Sequence, residues 1–199
     1  METKTKVSVQ PKYFHLIRHG QYDPQNDSGW RGGGLTPLGK QQAERTARRL
    51  AGLPIRRIHF STLRRTAETA QILAAAFSTL HPAPSRLLWE VLPPFAQADA
   101  HHFARSTAAE LAESRQRAAA AWQRFFLDEA EKPGDVLVVS HGNPIRYFAC
   151  RALGVDPTLW LRAETHNCGL TTLSYTEGVW RLVSLNDTGH LPEEMKTFV

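Results

Sequence analysis

Short apolar runs alternate along the chain with longer stretches of helical period. "YFHLI", Tyr13 to Ile17, reads as a short buried strand, and "VLVV", Val136 to Val139, is strand-sized and continuously apolar, the pattern of a strand buried on both faces. Ile55 to Phe60 predicts a further strand, and "SRLLWEV", from Ser85, a third short one ahead of Val136. Between them "LTPLGKQQAERTARRLAG" predicts a helix with Thr36 as N-cap, Pro37 at its first position and Gly52 as its stop. "LRRTAETAQILAAAF" predicts a second helix. Leu92 to Ser106 has no clear period and predicts a loop or lid. Thr107 and Glu110 form a capping-box pattern that opens a long Ala-rich helix, expected to end near Lys132. A last helix begins with Asn143 as N-cap and Pro144 at the first position, with Gly154 past its end. "CGLTTLSYTEGVWRLVSLN" alternates in period two on both sides of Glu177-Gly178, the pattern of a hairpin.

Strands alternating with helices predict an α/β fold: a three-layer domain with a mostly parallel central sheet and helices on both faces. With 199 residues the chain fits one domain. Residues 1–12 read as a flexible arm and 13–199 as a single domain.

Composition narrows the class. Hydrophobic residues make up 42% and charged ones 22%, an ordinary globular balance. No apolar run reaches the ~20 residues that span a bilayer, and "METKTKVSVQ" lacks the apolar core of a signal peptide, so no membrane partner is expected. Two cysteines, Cys150 and Cys168, cannot build a disulfide framework and lack zinc-ligand spacing. They fit a reducing setting, and a cytoplasmic localisation is the expectation. Net charge +5 and a pI near 9.5 favour an anionic partner. The basic residues are interspersed with acids and form no long block, so a phosphorylated ligand is expected and nucleic acid is not.

Three strand-to-helix junctions carry conspicuous polar groups: Arg18-His19, "STLRR" from Ser61, and Ser140-His141. In an open α/β sheet, ligands gather outside the carboxyl ends of the strands, so all three should face one crevice.

Those residues resemble the histidine phosphatase (phosphoglycerate-mutase-like) superfamily. Arg18-His19-Gly20 is similar to its first signature, and "LTPLGKQQA" to its first-helix segment. "STLRRTAETA" is similar to the segment that places the site arginine at Arg65. "LLWE" resembles the segment carrying the acid, here Glu90, and "VVSHGNPIR" the second histidine motif, with His141. Any one match is weak; the ordered set is specific. "RHGQY", "SHGNPIRYFACRALG", "PTLWLRAETHNCGLTTL" and "NDTGHLP" extend the likeness to the mitochondrial-type serine/threonine protein phosphatase branch. Tyr22 and Gln25 stand where the mutases carry Thr or Ser and Asn, which weighs against a mutase.

The resemblance implies phosphomonoester hydrolysis through phosphohistidine, with no metal or other cofactor. His19 would be the nucleophile, Glu90 the proton donor, and His141 a donor to the phosphoryl oxygens. Arg18 and Arg65 would clamp a phosphate, which carries about two negative charges and suits guanidinium forks. Gln21, Tyr22, Trp30 and Phe95 are the candidate entrance residues. The expected substrate is a phosphorylated protein; a small phosphorylated metabolite is the alternative, and a catalytically weak phosphoprotein-binding scaffold is the alternative outside the enzyme class. A metal site built from His19, His141 and Glu90 is the competing chemistry, opposed by the two adjacent arginines. The oligomeric state stays open.

Overall fold

The computed structural model describes residues 10–26 and 32–198. Its strands are β1 (Lys12–Arg18), β2 (Ile55–Ser61), β3 (Ala83–Ser85), β4 (Asp135–Ser140), β5 (Leu170–Thr176) and β6 (Val179–Asp187). They form one sheet in the order β3-β2-β4-β1-β5-β6. The first four run parallel, and β5 and β6 are added antiparallel beyond β1. The helices are α1 (Pro37–Leu50), α2 (Arg64–Ala74), α3 (Ala108–Trp122) and α4 (Gly142–Leu153).

Alternation along the central strands divides the core in two. Ile17, Ile58, Leu137 and Val139 face α1 and α2, packing on Leu50, Ala70 and Leu73. Phe14, Leu16, Val136 and Val138 face the other way, onto Ala118, Trp122, Ile145 and Phe148 of α3 and α4. This is the expected three-layer arrangement, with β1 and β4 at its centre.

Most local signals produce the expected caps. The Thr36 hydroxyl accepts from the Gly39 N–H, 3.0 Å, and Thr107 and Glu110 make a reciprocal capping box. The β5–β6 hairpin turns at Glu177 and Gly178, both at positive φ (48° and 82°), where glycine is unstrained.

Four local expectations are corrected. The third strand is Ala83–Ser85, upstream of "SRLLWEV", because Ser85 Oγ accepts from Leu87 N–H and caps a 3-10 turn over Arg86–Leu88. The expected lid holds a 3-10 helix, Gln97–Phe103, anchored where Arg162 donates to both Asp99 carboxylate oxygens (3.0 and 3.2 Å). Regular α-helix in α3 stops at Trp122, and the chain continues as a π-helical turn over Gln123–Leu127. Trp122, Phe125 and Phe126 enter the core across this turn. His141, not Asn143, is the N-cap of α4.

Candidate active site

Register brings the two histidines together. β1 and β4 are parallel neighbours with Arg18 opposite Ser140, so His19 and His141 leave the sheet side by side. Their ring centroids are 5.2 Å apart, and both residues are buried. Arg65, from the first turn of α2, reaches between them. Its Nε donates to His19 Nε2 at 3.1 Å, and its Nη2 lies 3.2 Å from His141 Nδ1.

Partners assign the tautomers. His19 Nδ1 is 2.9 Å from the Gly20 carbonyl and carries the proton, leaving Nε2 with a bare lone pair. His141 accepts from Arg65 at Nδ1, so its Nε2–H donates to Ser61 Oγ at 2.9 Å. Burial, then Arg65 and Arg18, hold His19 well below its ordinary value of 6.5. Burial, then His19 and the same arginines, do the same for His141. Both rings are neutral near pH 7.

Arg18 is pinned by its far end. Nη1 donates to the Thr165 carbonyl (2.6 Å) and Nη2 to the Phe198 carbonyl (2.7 Å). Its Nε is buried without a hydrogen-bond partner among the described residues and faces Gly142, where α4 begins. An oriented guanidinium edge, the Arg65 fork and a helix N-terminus therefore converge on one place, which suits a tetrahedral oxyanion.

Glu90 stands at the mouth. One carboxylate oxygen accepts from the Asn143 N–H (3.3 Å), and the other is 3.9 Å from His141 Nδ1. Its side chain keeps 39% of its surface accessible, yet crowding of the carboxyl raises its pKa; Arg18 and Arg65 oppose the rise without cancelling it. A pocket of about 280 Å³ adjoins it, lined by Arg18, Glu90, Asn143, Arg146, Glu164 and Phe198 among others. Among the described residues no three His, Cys, Asp or Glu side chains are grouped as metal ligands.

The candidate entrance residues divide. Tyr22 lies edge-on to His19 (centroids 5.3 Å) beneath the Arg65 guanidinium, 4.5 Å from its ring. Gln21 turns to α1, where its side-chain oxygen accepts from the Thr36 hydroxyl (2.7 Å). That contact is close because a side-chain carbon on Gly39 would fall 2.0 Å from the Gln21 carbonyl, so only glycine lets the site loop lie on α1. Phe95 packs on Phe103 (4.5 Å) under Arg115. Trp30 lies outside the described residues.

Other residues join the site without having been singled out by sequence. Ser61 orients His141. Arg146 stacks on Trp160 (4.7 Å) and donates to the Ala163 carbonyl (2.9 Å), bracing one wall. Its spacing from Asn143 on α4 is the one local signal that could have marked it. Asn167 Nδ2 donates to the His19 carbonyl (3.0 Å).

The chain belongs to branch 1 of the histidine phosphatase superfamily, whose model matches residues 14–91 and 88–188. It is a phosphatase of that class. Among relatives it is similar to the mitochondrial serine/threonine-protein phosphatase Pgam5 of Caenorhabditis elegans, 33% identical over 97% of this chain and 69% of that protein. The protein of the same name from Drosophila yakuba is also 33% identical, over 98% and 70%. Among solved structures, a mycobacterial glucosyl-3-phosphoglycerate phosphatase superposes with a TM-score of 0.69 at 26% identity, covering 89% of this chain and all of that one. The relatives' names contradict the cytoplasmic expectation and point to mitochondria. Unpaired buried thiols mark reducing surroundings without distinguishing one compartment from another. Among the described residues no helix is long and apolar enough to cross a membrane.

Proposed function

We propose that residues 13–199 form one catalytic domain that hydrolyses phosphorylated serine or threonine on proteins, with His19 as nucleophile. The observation that carries the reading is the unprotonated Nε2 of His19, held by Arg65 Nε and under the field of Arg18, beside a carboxyl of raised pKa. A phosphoryl oxygen takes over the Arg65 N–H and meets the Nε edge of Arg18, which frees the His19 lone pair. Nε2 then forms the P–N bond as the P–O bond to the leaving oxygen breaks, and protonated Glu90 gives that oxygen its proton. In the second half, Glu90 carboxylate takes a proton from water, whose oxygen attacks phosphorus and expels His19. The incoming dianion raises the pKa of His141, so that its Nδ1 is protonated and donates to the phosphoryl oxygens.

The protein substrate is supported by the activity for which the relatives are named and by Tyr22, an aromatic wall beside the nucleophile. A second reading, a small phosphorylated metabolite, is favoured by the polar pocket next to Glu90 and by the activity named for the mycobacterial structure.

Quenched turnover should trap an acid-labile, base-stable phosphate on His19. His19→Ala should lose both the label and at least about a thousandfold in kcat, while a strong chelator leaves the wild type active. Label on another residue, or chelator-sensitive activity restored by a divalent metal, would refute the chemistry. Phosphopeptides outrun by a hundredfold on kcat/KM by a sugar phosphate would refute only the substrate.

A further inference from the structure

The segment Met195–Phe198 crosses back over the site from the end of the fold, and its contacts run to both halves of the proposed machinery. Asn167 is the hub: its Nδ2 donates to the carbonyl of His19, and its Oδ1 accepts from the Thr197 hydroxyl at 2.8 Å. The Asn167 N–H donates to the Thr197 carbonyl, also at 2.8 Å. From α1, buried Gln42 donates to the Met195 carbonyl (2.7 Å) and to Thr197 Oγ1 (2.9 Å). The Phe198 ring lies on His166 with centroids 3.9 Å apart, and its carbonyl receives Arg18 Nη2. His166 is itself fixed by Asn186, which accepts its backbone N–H and meets its ring Nδ1, each at 2.8 Å.

We propose that this strap is a positioning element for Arg18, acting through the Phe198 carbonyl. The inference rests on the phosphate-clamping role given to Arg18 above. A long guanidinium side chain has many rotamers, and fixing it during binding costs affinity. Carbonyls of Thr165 and Phe198 hold the two Nη groups in advance, leaving the Nε edge turned to Gly142 and the oxyanion place. Without the strap, Nη2 loses its acceptor and the fork must be ordered by each substrate. The loss falls on phosphate binding, hence on KM and on inhibition by phosphate analogues, more than on kcat. Phe198 also forms one wall of the 280 Å³ pocket, so the same segment borders the space beside Glu90.

The test uses p-nitrophenyl phosphate, which any histidine phosphatase of this class should accept, with orthovanadate as the bound anion. A chain ending at Lys196, Thr197→Val and Phe198→Ala would be compared with wild type and Arg18→Ala. Thermal melting would check that each is folded. The shortened chain should raise KM and the vanadate Ki about tenfold, with kcat changed less than threefold. Phe198→Ala keeps the carbonyl and should cost less than the deletion; Thr197→Val should fall between them. With Arg18→Ala already in place the shortening should add little more, because the strap acts through that side chain. Unchanged or tighter vanadate binding in the deletion, or full additivity with Arg18→Ala in a folded protein, would overturn the proposal. If the deletion does not fold, the Thr197→Val and Arg18→Ala pair decides by the same non-additivity. Failure of every variant including wild type on the aryl phosphate would instead strike the phosphatase chemistry itself.

Discussion

At the amino edge of the sheet, buried Glu129 receives Arg57 and Lys132 at 2.7 Å each, while Lys12 donates to the Glu129 and Lys132 carbonyls. At the carboxyl edge, Arg18 and Arg65 stand beside two neutral histidines and one carboxyl of raised pKa. Each edge bears a pocket of similar size, about 290 Å³ at the amino edge and 280 Å³ beside Glu90. Size therefore does not distinguish them; the state of the charges does. Burial pushes the Glu129 carboxyl up, but Lys132, Arg57 and Lys12 together bring it below its ordinary value, and two of those cations touch the carboxylate directly. Among the described residues Arg18 and Arg65 make no such contact ion pair and meet backbone carbonyls and imidazoles instead. The two edges differ in pairing: the amino-edge cations are held by a carboxylate, whereas the carboxyl-edge arginines keep no carboxylate in contact and can receive an anion.

The largest way to break that contrast is Arg65→Ala, expected to lower kcat/KM by about three orders of magnitude through loss of the transition-state fork. Arg65→Lys should recover little of it, since an ammonium cannot span both histidines. The same change removes a charge that depresses His19, so the His19 titration followed by NMR should move up toward its ordinary pH. A titration that stays put would show that burial alone sets it.

Glu90→Gln comes next. It should slow phosphoserine peptides about a hundredfold and aryl phosphates less than tenfold, because only the alkoxide needs a proton on departure. The wild-type kcat/KM should decline on the alkaline side as Glu90, raised above ordinary carboxylates, loses its proton. The variant should lack that limb. Equal losses on both substrates would assign the acid elsewhere.

At the opposite edge, Glu129→Gln should cost about 3 kcal/mol of stability in urea unfolding and leave kcat/KM unchanged. A variant as stable as wild type but slower would erase the distinction between the edges. The smallest effect concerns Lys12, whose folded pKa is lowered to about 8, chiefly by burial. Between there and the unfolded value near ~10.4, the unfolded chain binds more protons, so stability rises with pH. Relative to Lys12→Met, wild type should gain about 2 kcal/mol from pH 7.5 to 10.

What the sequence made legible follows the same division. The three polar junctions could be placed at one edge because each follows an apolar strand, and the parallel sheet aligns strand ends. Arg18, His19, Arg65 and His141 do converge there, with Glu90 beside them. Gln21 was expected at the entrance because it follows Gly20, but a hydroxyl on α1 holds it. The carbonyls of Thr165 and Phe198 on Arg18 were illegible, since a backbone acceptor bears no residue signature and both lie far along the chain. The π-helical turn was hidden as well, since Trp122, Phe125 and Phe126 keep the i, i+3, i+4 spacing of an ordinary α-helix.

The register of β1 with β4 has a consequence for biosynthesis. Arg18 pairs across from Ser140, so the two histidines meet only after more than half of the chain has been made. Such pairing is non-local and carries a large loop-closure cost before it is rewarded. A ribosome-bound nascent chain holding only the first histidine has neither its parallel neighbour nor the acceptors that fix Arg18. The first imidazole therefore emerges long before its partners, and the arrangement around it is completed only once Phe198 has also been made.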